Sequence, residues 1–175
     1  MSNPIDVVGI GNAIVDVISR SDDAFLAKHG MDKGAMILID ADQAEAIYAE
    51  MGPGVESSGG SAANTIAGLA AMGGKGGFIG KVRNDQLGDV FGHDIRSLGV
   101  DFPTAAAIDG PPTARCLVLV TPDGQRTMNT FLGACQGLGP ADVDEALLKR
   151  AKIVYMEGYL WDPPAAKEAF VKAMD

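Results

Sequence analysis

The sequence is short of cysteine and of positive charge, and each shortage closes off a class of protein. Two cysteines, Cys116 and Cys135, stand among 175 residues. They form neither a CxxC pair nor a disulfide framework, which fits a chain kept reduced in the cytoplasm. Lysine and arginine number 14 against 23 aspartates and glutamates, a formal net charge of −9. A surface this acidic repels phosphate backbones and anionic lipid, which argues against nucleic-acid and membrane partners. An anionic cosubstrate would need local positive groups. No apolar run approaches the roughly 18 residues of a membrane span. The opening "MSNPIDVVGIGN" lacks the basic n-region of a secretory leader. The two histidines, His29 and His93, lie far apart and form no constellation with carboxylates, and no spacing suggests a metal site.

What the chain does contain is apolar material and glycine: 47% hydrophobic residues and 23 glycines, the glycines falling between apolar runs. That suffices for a sizeable core in one domain. "IDVVGIGN" and "GGFIGKV" read as buried strands and "KIVYMEGYL" as a further strand. "ADQAEAIYAEMG", "AANTIAGLAAMGG", "DQLGDVFGHDIRSLG", "PADVDEALLKRA" and "PPAAKEAFVKAMD" read as helices, the first ending at Gly52 and the fourth opening on proline. Strands alternating with helices predict an α/β protein with a mostly parallel sheet. "AIVDVISR", "AMILID" and the pair of strands around Pro122-Asp123-Gly124 break the alternation. They are more amphipathic than the core strands and predict a small additional sheet. The last helix runs to Asp175 with no closing strand, as if the chain stopped inside a larger α/β domain.

Two stretches invite a functional reading. "GIGNAI" carries two of the three glycines of a dinucleotide fingerprint, Gly9 and Gly11, but Ile14 stands at the third position and a β-branched segment follows where a helix is needed. A strand end with permissive backbone explains it better. Asp16 sits among apolar residues just beyond; it is either solvated at an edge or bonded to something specific, and a carboxylate suits a pair of sugar hydroxyls. The second stretch is "SSGGSAANTIAGLAAMGG". Gly59 and Gly60 allow positive φ and close approach, Ser61 can cap the helix, and Asn64 in its first turn offers donors and an acceptor to vicinal hydroxyls. A tight loop feeding a close-packed helix explains the same residues.

The run "GGSAANTIAGLAAMGGKGGFIGKVRNDQLGDVFGHDI" resembles the N-terminal signature of the ribokinase-like, PfkB family of carbohydrate and nucleoside kinases. "GNAIVD", "GQRTMNTFLGA" and "VYMEGYLWD" follow in family order, and the similarity covers essentially the whole chain. The resemblance implies a three-layer α/β/α fold with a small β-sheet lid, truncated before the ATP-binding half. Residues 1–175 would form the substrate-binding part, with lid segments near 14–20, 35–40 and 113–132. It implies that Asp16, Gly59, Gly60 and Asn64 bind the sugar. "GQRTMNTFLGA" is most similar to the adenosine-kinase-like branch, where the arginine matching Arg126 lies near the transferred phosphate, a charge a guanidinium suits. Met128 and Thr130 are expected on the ligand side of their strand, Ile37 and Ile39 on that of another, and Tyr159 against a base or sugar; core packing is the alternative for the Met, Ile and Tyr residues. Glu157 stays ambiguous. Asp40 and Asp42 read as charges at a helix N-terminus.

The same resemblance places the ATP half, with its "GAGD"-type anion hole and the aspartate that acts as base, C-terminal to these residues; no such motif occurs here. The expectation is an intact enzyme that moves the γ-phosphoryl of Mg2+-ATP to a hydroxyl of a sugar or nucleoside. This chain would supply the acceptor site, lack the base and be inactive alone. Its cut sheet, or its lid, would drive self-association or a homodimer. A simple-sugar kinase of fructokinase or ribokinase type, and a non-enzymatic sugar- or nucleoside-binding module, are the alternatives.

Overall fold

The computed structural model describes residues 4–175; Met1–Asn3, which open the stretch lacking a basic leader region, lie outside the described residues. Two sheets organise the described residues. The first has three strands, β1 (Ile5–Ile10), β5 (Gly76–Ile79) and β8 (Ala151–Met156), all parallel in the order β5-β1-β8. Alternate residues of β1 point to opposite faces. Val7 and Gly9 meet α3 (Ser61–Ala71) and the core around Phe78, Phe91 and Phe102. Val8 and Ile10 meet Leu147 of α5 (Glu145–Leu148) and Ala166, Ala169 and Phe170 of α6 (Pro164–Met174). Helices therefore cover both faces, and the layering is α/β/α.

The second sheet has five strands: β2 (Ile14–Arg20), β3 (Met36–Leu38), β4 (Gly54–Gly59), β6 (Ala114–Val120) and β7 (Arg126–Phe131), in the order β3-β7-β6-β2-β4. Segments 14–20, 35–40 and 113–132 all contribute to it. It is larger than the sequence suggested, because β4, with the sequence "GVESSG", was not legible as a strand. Val15, Val17, Leu117 and Leu119 on one face join the Phe78–Phe91 core. That face is packed by α2 (Ala41–Glu50) and α4 (Gln86–Ser97), and Leu26 of α1 (Asp23–Lys28) joins the same core. Ile14, Cys116 and Val118 lie on the other face, which is covered at one end by Cys135 and open at the other.

Local chemistry explains most boundaries. Asp40 caps α2 in a reciprocal box with Gln43, and Asp42 sits in its first turn. Asp85 caps α4 through Gly88 N and also accepts from Thr113 N and its hydroxyl, so this aspartate fastens the helix to the entry of β6. Gly73, at φ 87°, follows α3. Three expectations need correction. Gly52 is not left-handed; Met51 already leaves α2 in extended conformation. Ser61 is the first helical residue and not the cap; Gly60 occupies that position. The helix expected from Pro140 breaks into a 3-10 turn, Pro140–Asp142, and the short α5, because Asp144 captures the amides of Ala146 and Leu147 and starts a new cap.

Candidate active site

The glycines of "GIGN" serve helix packing. A Cβ at Gly9 would lie 2.7 Å from Ile66 Cγ1, and one at Gly11 would lie 2.7 Å from Ala62 Cβ, so both let α3 rest on the end of β1. No helix follows them; Asn12 and Ala13 lead into β2. The dinucleotide fingerprint accordingly has no helix N-terminus to work with.

α3 begins where β4 ends, and this junction brings the sugar-binding candidates together. Gly59 lies against Asp16: a Cβ there would be 2.5 Å from Cγ and Oδ2 of the carboxylate. Gly60, at φ 95°, turns the chain into the helix against the carbonyl oxygen of Asn12, a path closed to a residue with a side chain. The carbonyl of Gly60 then accepts from Asn64 N at 2.8 Å. Asp16 and Asn64 are thus tied to consecutive glycines. Ala62, Ala63 and Ile66 bury the opposite side of the helix, which leaves the Asn64 side chain exposed and, among the described residues, without a hydrogen-bond partner.

Asp16 is half-buried on the open face of the second sheet and has no hydrogen bond or ion pair among the described residues. Burial pushes its carboxyl above the ordinary range, and the charge of Arg126 partly opposes this. Arg126 is exposed at the start of β7. Cys116 pairs in register with Asp16 and accepts a hydrogen bond from Thr130 Oγ1 at 3.3 Å. Its thiol is pushed up to about 11, chiefly by burial. Thr130 and Met128 lie on this same face, as the alternation required.

Ile37 and Ile39 do not. Register places Met36 against Met128 and Leu38 against Thr130, so it is Met36 and Leu38 that share the Asp16 face. Ile37 pairs with Asn129 on the other face, and Ile39 packs into the helix-covered core. The strand was recognised one residue out of phase, and a one-residue slip exchanges the two faces of a strand. Met36 and Leu38 are also well exposed, at 51% and 61%.

Tyr159 lies in a 3-10 turn, Gly158–Leu160, with its side chain exposed. Its carbonyl accepts from Asn12 Nδ2 at 3.3 Å, which links it to the Gly59–Gly60 junction. Asn12 escaped notice in the sequence. It is buried, and its Oδ1 has no partner among the described residues. An amide immediately after Gly11, between two strands, was the available signal. Glu157 accepts from the Tyr155 hydroxyl at 3.0 Å. His29 pairs with Glu50 and His93 with Asp94, both at the surface. Among the described residues, no group of three or more His, Cys, Asp or Glu side chains could hold a metal ion, and no helix is long and apolar enough to cross a membrane.

A ribokinase-like fold with an unpaired carboxylate held beside a glycine-led helix defines a class. The model of the pfkB family carbohydrate kinases matches residues 34–175, and the chain belongs to that family. An adenosine kinase structure from Sinorhizobium meliloti superposes with a TM-score of 0.90 at 56% identity, over 97% of this chain and 52% of that one. The ATP-dependent ribose-1-phosphate kinase of Halopiger xanaduensis is 33% identical over 63% of this chain and 38% of its own length. The guanosine-inosine kinase of Escherichia coli strain K12 is 26% identical over 88% of this chain and 37% of its own. The chain therefore spans well under half the length of these curated relatives.

Proposed function

We propose that the intact protein transfers a phosphoryl group from ATP to a hydroxyl of a nucleoside, and that these residues supply the acceptor site under a lid formed by the second sheet. The observation that carries this reading is Asp16: a half-buried carboxylate with no partner among the described residues, set against a glycine that cannot fill the space beside it. A carboxylate only accepts hydrogen bonds, and two vicinal hydroxyls supply two donors at the right separation. The Asn64 carboxamide, one helical turn from Gly60, can give and accept on the other side of the same diol. Arg126 puts a guanidinium at the rim, suited to charge that spreads over phosphoryl oxygens as the bond to the leaving group breaks.

A nucleoside is favoured over a simple sugar by the residues next to the diol site. Met36, Leu38 and Met128 form an apolar strip on the Asp16 face, which a flat base can cover and a bare sugar cannot. The 56% identical neighbour is an adenosine kinase, which points the same way. The described residues fit an acceptor and, at Arg126, one phosphoryl group. They do not by themselves make a nucleotide or Mg2+ site.

The test is a coupled ADP-release assay of the intact protein with Mg2+-ATP and adenosine, guanosine, ribose or fructose. Turnover with a nucleoside, lost in Asp16→Asn, supports the proposal. Turnover with fructose alone would replace the nucleoside by a simple sugar, and an Asp16→Asn variant as active as the parent would remove the site.

A further inference from the structure

The open face of the second sheet is ordered in rows. Pairing runs from Ser57 to Asp16, from Asp16 to Cys116, from Cys116 to Thr130 and from Thr130 to Leu38. Residues paired directly across strands share a face. One row of side chains therefore crosses all five strands; Ser57, Asp16 and Thr130 in it are polar, and Cys116 between them carries a buried thiol. The neighbouring row, Val55, Ile18, Val118, Met128 and Met36, is apolar throughout.

Within the polar row, Thr130 is buried and its hydroxyl is committed to Cys116. Ser57 differs. It lies on the edge strand β4, it is exposed, and among the described residues its hydroxyl makes only a 3.5 Å contact with the carbonyl of Ser58. Directly opposed side chains of antiparallel strands have Cβ atoms about 4.5–5.5 Å apart. Register therefore sets the Ser57 and Asp16 side chains next to each other on the same face, with the carboxylate lying over Gly59, the next residue of β4 on that face. The two groups are complementary. The carboxylate accepts only, while a serine hydroxyl also donates. A sugar hydroxyl that gives its proton to Asp16 still has lone pairs to accept from Ser57. On β4, Asp16 is flanked by Gly59, which leaves room, and by Ser57, which supplies a donor.

We propose that Ser57 is a specificity-determining contact of the acceptor site, donating its hydroxyl proton to the oxygen of one of the two vicinal hydroxyls bound by Asp16. The inference rests on the acceptor-site reading above and assigns one side of that site to β4.

The experiment is calorimetric binding of adenosine, 2′-deoxyadenosine and 3′-deoxyadenosine to the intact protein and to Ser57→Ala and Ser57→Thr. Ser57→Ala weakens adenosine about two- to tenfold, the range for one neutral hydrogen bond. It leaves the affinity of one deoxy analogue at the parent value, because that contact is already missing, and Ser57→Thr keeps the parent pattern. Equal weakening of all three ligands would show an indirect, structural effect and overturn the contact, as would an alanine variant that binds adenosine like the parent. If the parent protein binds none of the three, the nucleoside reading fails and the contact fails with it. Parent binding with a silent alanine variant removes only the contact. Thermal melting accompanies each variant; an exposed edge serine replaced by alanine leaves the melting temperature essentially unchanged.

Discussion

An alanine at position 59 separates binding from folding. Its Cβ would lie 2.5 Å from Cγ and Oδ2 of Asp16 and 2.7 Å from Oδ1. The backbone of Gly59 is outside the left-handed region, so alanine fits the chain itself and the conflict is with one carboxylate. That carboxylate ends a short side chain with no hydrogen bond among the described residues to hold it, and it can swing aside. Overpacking costs about 1–3 kcal/mol in a dense core; here no backbone need move, which places the cost at the low end. At roughly 2–4 °C per kcal/mol for a chain of this size, melting falls by a few degrees. Binding loses more. Hydrogen bonds to a charged group contribute about 1.5–3 kcal/mol each, so each ligand hydroxyl left without Asp16 weakens affinity by about 10- to 150-fold. Gly60→Ala is the contrasting variant: its φ of 95° and the Asn12 carbonyl oxygen in its path make the obstacle backbone, and strain of about 1–3 kcal/mol adds to the clash. Folding suffers first there. Calorimetry with adenosine and thermal melting on both variants decide the matter. A Gly59→Ala protein that binds nucleoside with the parent affinity would refute the placement of the diol at Asp16.

Other expectations follow from the same geometry. Burial raises the Asp16 carboxyl, so the folded state holds a proton that the unfolded chain releases; stability falls as pH rises from the ordinary carboxylate value through the raised one, and the loss persists above it. Asp16→Asn removes this cost, so it should melt higher than the parent at neutral pH while losing ligand affinity, and a variant that melts lower would contradict the assignment of burial as the main cause. Gly11→Val places a branched side chain against Ala62 and should cost about 1–3 kcal/mol in a denaturant titration, through separation of α3 from β1; an unchanged midpoint would deny that contact. With their thiols pushed up to about 11 and about 12, Cys116 and Cys135 are neutral at pH 8 and should resist iodoacetamide in the native state, as read by mass spectrometry, whereas prompt labelling of Cys135 would show that its burial is not maintained.

The parts of the fold set by local periodicity are legible in the sequence alone. β1, β5 and β8 are short apolar runs, and α2, α3, α4 and α6 have helical spacing with identifiable caps or stops. β4 was not legible: "GVESSG" has neither the β-branched content nor the apolar alternation of a strand, and it is held in place by pairing with β2. The site shows the same division. Asp16, Gly59, Gly60 and Asn64 stood out because a carboxylate among apolar residues and adjacent glycines before a helix are unusual. Ile37 and Ile39 were assigned to the wrong face because three residues of strand carry too little alternation to fix the phase, and only the pairing of Met36 with Met128 decides it. Ser57 carried no signal at all, and Asn12 only that of an amide between two strands; their importance comes from what lies beside them in the fold.

By itself the sequence determined the α/β alternation, the helix entered through two glycines, and the unusual carboxylate on the second strand, since these depend on neighbours along the chain. The tertiary structure decided which side chains share the open face, that Gly9 and Gly11 serve α3 and not a cofactor, and that Ser57 faces Asp16. Those are matters of register and close approach between segments tens of residues apart, where a shift of one residue reverses every side chain and no local pattern records the choice.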